Sequence, residues 1–450
     1  MAAVATRVDA AVVCTLALPG VDAGSAKTDD GGIDTEVAEV ETAAEDVLRT
    51  FLRHHKEVGF ARVLLFFDQH EVNDEHAWIR VCREESQTDA TSTFHVNWFL
   101  RSDARIAREQ SKTSPLASAL LEAGRELDEV PIRQRINTEY ALYLAQHSKA
   151  YRAHWIVHID IDELFVPPKG MSASEHFADL EQRGIGTFKY VNHEGVPEVR
   201  RVGNYFRQVT LFRRNHLSLP LDAKVQMCMS SWAARTDNAQ YFLAYDNGKS
   251  AVRAIPGVRT LSVHTFALPA TSDLQSATNF ADVRDGSAIK IVENASSLAV
   301  AADGACILHY VVCGAGWAKW KYQHLGDFRE SWQVDAHTTV PIAPCFHLAC
   351  KRACRNGRFD HWQAFNDIFS SQVLAPRNDG TVEASLRAGV CFRVTKERLH
   401  FLVDDVKEHE SEDERCDDSK RVKLPLTDGV LGFDKAWLLS NIAREYLNEN

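Results

Sequence analysis

The chain has 450 residues, 45% hydrophobic and 25% charged, with a formal net charge of −11. These proportions describe a folded globular protein, long enough for one large α/β domain with additions or for two to three domains. The acidic balance offers no basic face for nucleic acid or anionic membrane, and no run approaches the roughly 20 apolar residues of a membrane span.

At the amino terminus, Asp9 interrupts the apolar run of MAAVATRVDAAVVCTLALPG. The stretch therefore reads as a first β-strand closed by Pro19 and Gly20 rather than as a secretion signal. Residues 22–35, rich in Asp, Gly and Thr, predict a surface loop. From Glu41 to Val58, Val47, Leu48, Phe51, Leu52 and His55 recur at helical spacing, and Gly59 stops the helix. ARVLLFFDQH predicts a second strand ending in Asp68. Strand, helix and strand form a βαβ unit, which implies a parallel sheet. Residues 74–85 predict a second helix, FHVNWFL a third strand, and residues 103–129 a polar helical excursion. IRQRINTEYALYLAQHSKAYRAHW predicts a long helix that delivers the chain into WIVHIDIDELF at residues 155–165.

That last stretch carries the chemistry. Trp155, Ile156, Val157, Ile159 and Ile161 suit a central strand, whereas Asp160, Asp162 and Glu163 do not. An unpaired carboxylate inside a sheet is costly, so the acids belong where the strand ends and meets a cation, a metal or water. Residues i and i+2 share one face of a strand, so Asp160 and Asp162 are expected to point at one ligand. Hard oxygen donors suit Mg2+ or Mn2+, which would bridge phosphates.

Downstream, a short helix is predicted near Ser174 to Arg183, then strands in GIGTFKYVNHEG, EVRRVGNYFRQVTLFRR, KSAVRAI, VRTLSVHTFAL and ACILHYVV. Residues 270–288 read as a mobile loop, and WAKWKYQHLGDFRESW as an amphipathic helix. From about 335 the character changes. Cys345, His347, Cys350 and Cys354, with His361 nearby, offer zinc donors in number, but without paired Cys-x2-Cys spacing they read as buried free thiols. The ten cysteines show no small-scaffold pattern, which favours a reducing, cytoplasmic location over the secretory lumen. DDVKEHESEDERCDDSKRVK predicts a charged loop near 404–421.

The combination resembles the glycosyltransferases of the GT-A fold, in particular the family 92 group and its family 2 relatives. Four segments carry the resemblance over residues 8–330. They are EDVLRTFLRHHKEVGFARVLLFFDQH; Gln134, Asn137 and Trp155 leading to HIDIDELF; KSAVRAIPGVRTLSVHTF; and ILHYVV. The resemblance implies an α/β fold with a mixed, mainly parallel sheet flanked by helices over 1–334, followed by an extension over 335–450. It further implies a metal-dependent, inverting transfer of a sugar from a nucleotide-sugar donor to a glycan, protein or small-molecule acceptor. Asp160 and Asp162 would then hold Mn2+ or Mg2+, with His264 or His309 as a further ligand. Lys249 and Arg253, four apart on one strand face, would neutralise the donor phosphates, and Asp68 would bind the nucleoside. Glu194 is the candidate general base, ahead of Asp327 and Glu330. Two other readings remain: a metal-dependent phosphohydrolase, and a noncatalytic glycan- or partner-binding module.

Overall fold

The computed structural model describes residues 8–19, 35–87, 93–125, 127, 129–220, 222–279, 289–292, 304–325, 328–333, 337–342, 344–354, 359–377 and 380–402. The amino-terminal half alternates strands and helices: β1 (Ala10–Leu16), α1 (Thr35–Glu57), β2 (Arg62–Phe67), α2 (Ala77–Gln87) and β3 (His95–Leu100). Helices α3 (Ala104–Thr113), α4 (Pro115–Glu122) and α5 (Val130–His147) lead to β4 (Trp155–His158), β5 (Glu163–Val166), α6 (Ala173–Gln182), β6 (Ile185–Tyr190) and β7 (Asn192–Gly195). Then come α7 (Tyr205–Gln208), β8 (Leu211–Arg213), α8 (Ala223–Ala233), β9 (Lys249–Arg253), β10 (Arg259–Thr260), β11 (Phe266–Ala267), β12 (Gln275–Thr278) and β13 (Ile289–Val292). The last elements are β14 (Cys306–His309), α9 (Ala315–Leu325), β15 (Ser331–Gln333), β16 (Thr339–Pro341), α10 (Cys345–Cys354), α11 (Phe359–Ile368), α12 (Thr381–Arg387) and β17 (Cys391–Arg393).

Eight strands form the main sheet, in the order β13-β12-β6-β9-β4-β1-β2-β3. All neighbours pair parallel except β9, which runs antiparallel to both β4 and β6. The sheet is apolar on both faces because both are covered. Val12, Cys14, Val63, Leu65 and Val157 pack toward Val47, Leu48, Phe51 and Leu52 of α1. Ala11, Val13, Leu64, Phe66 and Ile156 pack toward Tyr140, Ala141 and Leu144 of α5. Alternate residues of each strand thus feed opposite cores, as a pleated backbone requires. The fold is the mixed, mainly parallel α/β class that the sequence predicts.

A second sheet, ordered β17-β8-β7-β14-β5, receives the chain directly from the first. The acidic stretch is therefore not one strand: β4 ends at His158, and β5 begins at Glu163 in the other sheet. Asp160 and Asp162 occupy the turn between them, closed by the Glu163 N–H donating to the Asp160 carbonyl at 3.0 Å. Each sheet can then present acids at its edge without burying them in a ladder.

Other boundaries differ for local reasons. EVRRVGNYFRQVTLFRR contains α7, capped by Asn204 through the Phe206 N–H, and only the short β8. VRTLSVHTFAL splits into β10 and β11, with His264 in the turn between them. Within 270–288, β12 adds to the sheet beside β6, so that part is ordered strand, and residues 280–288 lie outside the described set. FRESW ends in β15 rather than continuing α9. Beyond 335, Phe346, Cys350 and Phe365 pack with Val312, Ala318 and Tyr322, and β17 pairs with β8. The charged run at 404–421 lies outside the described residues.

Gly316 allows α9 to reach the main body. A Cβ there would lie 2.1 Å from the Glu36 carbonyl oxygen at the start of α1. That approach brings α9 alongside the sheet edge that holds the acids.

Candidate active site at the junction of the two sheets

The carboxyl ends of parallel strands are where open α/β sheets bind ligands. Here β1, β2 and β4 end together, and β9, being reversed, begins there with Lys249. Asp160 accepts from the Lys249 ammonium at 2.7 Å on Oδ2 and from the Gln134 amide at 2.5 Å on Oδ1. Its N–H donates to Glu163 Oε2 at 2.9 Å, and Lys249 lies 3.4 Å from the same Glu163 oxygen. Burial would raise the Asp160 carboxyl, but Lys249, with smaller contributions from His158 and His309, holds it below the usual carboxylate range. Glu163 is pushed up to about 8, first by burial, with the Asp160 and Asp162 charges adding to it against Lys249. Burial works to lower Lys249, and the surrounding carboxylates, Asp160 first, raise it instead.

Asp162 faces the other way, toward the second sheet. Its Oδ2 accepts from the Lys321 ammonium of α9 at 2.8 Å, and its carbonyl accepts from the Tyr310 N–H at 2.7 Å. Its Oδ1 lies 3.9 Å from His309 Nε2 at the end of β14. The other ring nitrogen of His309 is 3.9 Å from Glu163 Oε1, its direct neighbour in the ladder. Burial takes His309 down to about 4, with Asp162 opposing and Lys321 reinforcing the drop, so its imidazole is neutral.

Farther along the same edge, α5 holds the end of β2. Arg133 grips Asp68 with two hydrogen bonds, Nε to Oδ1 at 2.5 Å and the second at 2.6 Å. Arg101 donates to the Asp68 carbonyl at 3.1 Å. Residues 133 and 134 thus tie the end of β2 and the end of β4 to one turn of α5. Gln69 and Leu18 exchange two hydrogen bonds of 3.0 Å, which fixes the ends of β1 and β2 side by side.

The structure therefore brings together Asp160, Asp162, His309 and Lys249, with Asp68 two strands along at the end of β2. It does not bring in Arg253 or Glu194. Arg253 is at the far end of β9, because the full length of the five-residue strand separates it from Lys249, and it lies 3.6 Å from Glu181. Glu194 is 1% exposed, ion-paired to Arg213, and accepts from the N–H groups of Leu243 and Ala244. A carboxylate so fully engaged has no lone pair free to take a proton from an acceptor. Glu330 is a surface acid 3.3 Å from Arg352, and Asp327 lies outside the described residues. His264 donates through Nδ1–H to the Gly248 carbonyl at 2.7 Å; burial first, then Lys249, holds its pKa well below the usual value. Trp317 is a core residue whose indole donates to the Gly203 carbonyl at 2.7 Å.

Lys321 and Arg133 are the functional candidates that the sequence reading missed. Lys321 stands in an amphipathic helix among Lys319, Tyr322 and His324, and nothing in that spacing separates it from Lys319, which pairs with Glu36 at 2.7 Å. Arg133 adjoins Gln134, which the resemblance did single out.

Among the described residues, no group of three or more His, Cys, Asp and Glu side chains is arranged to hold a metal ion. Asp160 has both oxygens engaged. Asp162 Oδ1 and the neutral His309 Nε2 are 3.9 Å apart, and Glu163 lies 3.9 Å from the other ring nitrogen. Two protein donors suit a divalent cation whose remaining positions are filled by substrate phosphates and water. Asp162 Oδ1 and His309 Nε2 are thus the donor pair that the structure offers, and His264 is not part of it.

No family model matches the chain. It is 30% identical over 141 residues to the glycosyltransferase-like protein At2g41451 of Arabidopsis thaliana, covering 31% of this chain and 30% of that protein. It is 28% identical over 143 residues to the glycosyltransferase-like protein At3g57200 of the same plant, covering 31% of this chain and 26% of that one. Part of the chain is similar to glycosyltransferase-like proteins. The similarity spans less than a third of either relative and does not single out family 92. Among solved structures, core-mannan synthase A (CmsA/Ktr4) of Aspergillus fumigatus in its Mn/GDP form aligns with 56% of this chain and 62% of its own. That alignment has 10% identity and a TM-score of 0.22. Among the described residues, no helix is long and apolar enough to cross a membrane.

Proposed function

We propose that the chain is a GT-A-type glycosyltransferase that moves a sugar from a nucleotide donor to an acceptor hydroxyl. The observation that carries the reading is the convergence of Asp162 and His309 with the Asp160–Lys249–Glu163 cluster at the carboxyl edge of a mainly parallel sheet. The sequence similarity to glycosyltransferase-like proteins supports it. In this reading Asp68 positions the Arg133 guanidinium beside the nucleoside, and the exposed part of Asp160 faces the ribose or the diphosphate. Asp162 and His309 would hold Mn2+ or Mg2+. When bound, the ion supplies Lewis-acid stabilisation of the charge that builds on the departing nucleoside diphosphate. Lys249 keeps Asp160 ionised. Inversion at the sugar carbon would need a base on the opposite face. Glu194, held by Arg213, does not supply it. The acceptor is a glycan, a protein or a small molecule, and the free thiols, Cys14, Cys82 and Cys313 among them, favour a cytoplasmic setting.

The test is calorimetric binding of a panel of nucleotides and nucleotide sugars, with and without Mn2+, to the wild type and to Asp162→Asn. A transfer assay with any donor that binds follows. Metal-dependent binding of one donor, lost in Asp162→Asn, is the expected result. Binding of no nucleotide with any divalent metal would sink the transferase reading and favour the noncatalytic module. Release of phosphate from simple phosphate esters would favour the phosphohydrolase.

A further inference from the structure

Two lysines meet the acidic turn, and they are built differently. Lys249 is sealed, with a side chain 3% exposed, between the half-buried Asp160 and the buried Glu163. Lys321 reaches in from α9 on a flexible four-carbon stem and is 27% exposed. Its two contacts are Asp162 Oδ2 at 2.8 Å and the Val311 carbonyl at 3.3 Å. Lys319, two residues earlier, is 7% exposed and committed to Glu36. Lys321 is thus the ammonium at the mouth of the site.

From this arrangement we infer that Lys321 is a displaceable counter-ion: it neutralises Asp162 while no donor is bound, yields that carboxylate to an entering divalent cation, and then takes a phosphate oxygen of the nucleoside diphosphate. The inference rests on the nucleotide-sugar reading above and adds a residue to it. An ammonium and a divalent cation repel strongly when they share one carboxylate, so Lys321 opposes metal entry in the donor-free protein. A diphosphate arriving beside the metal offers the displaced ammonium a charge-assisted hydrogen bond. Metal and nucleotide must then strengthen each other's binding, because each makes room or charge for the other at Lys321.

The experiment compares wild type, Lys321→Met and Lys321→Arg. Mn2+ alone is titrated first, then UDP and GDP with and without Mn2+, by calorimetry on protein whose melting temperature has been checked. In Lys321→Met, Mn2+ alone should bind on the order of tenfold or more tightly, a modest repulsion at a few ångströms in water-like screening. UDP or GDP should bind on the order of tenfold more weakly, as for loss of one charge-assisted contact. The coupling between metal and nucleotide should shrink with it. Lys321→Arg keeps the charge and should keep the coupling. Unchanged or weaker Mn2+ binding in Lys321→Met overturns the counter-ion role, and unchanged nucleotide binding overturns the phosphate role. If wild type binds no nucleotide at all, the transferase reading fails, and the Mn2+ comparison still decides whether Lys321 guards Asp162.

Discussion

Replacing Lys249 with methionine separates a structural lysine from a phosphate-binding one. The sequence reading places Lys249 on the donor phosphates, whereas its ammonium is 2.7 Å from Asp160 and 3.4 Å from Glu163, inside the protein. Methionine fills the space of the stem, so the change removes charge with little loss of packing. Breaking a buried ion pair from one side costs about 3–5 kcal/mol, because the remaining charge is stranded. Asp160 keeps the Gln134 hydrogen bond and has 27% of its side chain exposed, which puts the expected loss near the lower end, about 3 kcal/mol. Asp160→Asn leaves Lys249 with Glu163 as partner and should cost less. The double variant strands no charge and should recover most of the loss, giving a coupling of about 2 kcal/mol. Urea denaturation followed by circular dichroism reads all four proteins. If Lys249→Met stays within about 1 kcal/mol of wild type but loses nucleotide affinity, the buried-counter-ion argument is wrong and the ammonium belongs to the donor.

Three further outcomes follow from the same contacts. Glu194→Gln should destabilise the fold by about 3–5 kcal/mol, because it leaves the Arg213 charge, 2% exposed, without its carboxylate; donor affinity by calorimetry should not change, and intact stability with lost transfer would restore Glu194 as the base. Gly316→Ala should cost at least about 1–3 kcal/mol in urea denaturation, since its Cβ would meet the backbone of Glu36 at 2.1 Å; a neutral effect would mean that α9 does not pack as described. His54 and His176 are both held neutral by burial, with pKa values lowered to about 4. Between pH 6.5 and 4 the unfolded chain binds protons that the folded chain refuses. Stability is therefore full above pH 6.5 and falls on acidification, by up to about 3 kcal/mol for each ring. His176→Gln should flatten the dependence of the urea midpoint over pH 7 to 4.5, and an unchanged slope would count against the burial argument.

Most of the fold was legible because buried parallel strands are apolar whichever face is counted. AAVVCTL and RVLLFF could only be sandwiched, and Gly59, in a left-handed conformation with φ of 98°, marks the end of α1. Where strands shorten and change sheets, hydrophobicity stops being informative. Ile159 and Ile161 look like a continued strand, but they carry the chain from one sheet to the other, and the periodicity argument that put Asp160 and Asp162 on one face failed with it. The turn points the two acids at different partners, which period-two reasoning cannot foresee. Arg253 failed for the complementary reason: one face of a strand is not one end of it. His309 was legible as a strand histidine because ILHYVV is an apolar run, and the structure adds that its two ladder neighbours are acids, Glu163 and Glu194. Lys321 was not, since its role depends on the tertiary placement of α9, set by the close approach at Gly316.

The two acids of the turn have opposite electrostatic fates, and this decides what each can do. Asp160 is satisfied from inside the protein by Lys249 and Gln134, so its ionisation is fixed and its contribution is a constant negative potential. Asp162 is balanced by a lysine that reaches solvent and by a neutral imidazole across a gap of 3.9 Å. A fixed charge orients a ligand; a balanced charge with a movable partner can change hands when the ligand arrives. A divalent cation and a diphosphate bring charges of opposite sign, and a site with one fixed and one movable cation can accept both without leaving either sign in excess. That division of labour is why Asp162→Asn should abolish metal-dependent nucleotide binding in a protein that still folds. Lys249→Met, by contrast, should weaken the fold before it touches the ligand.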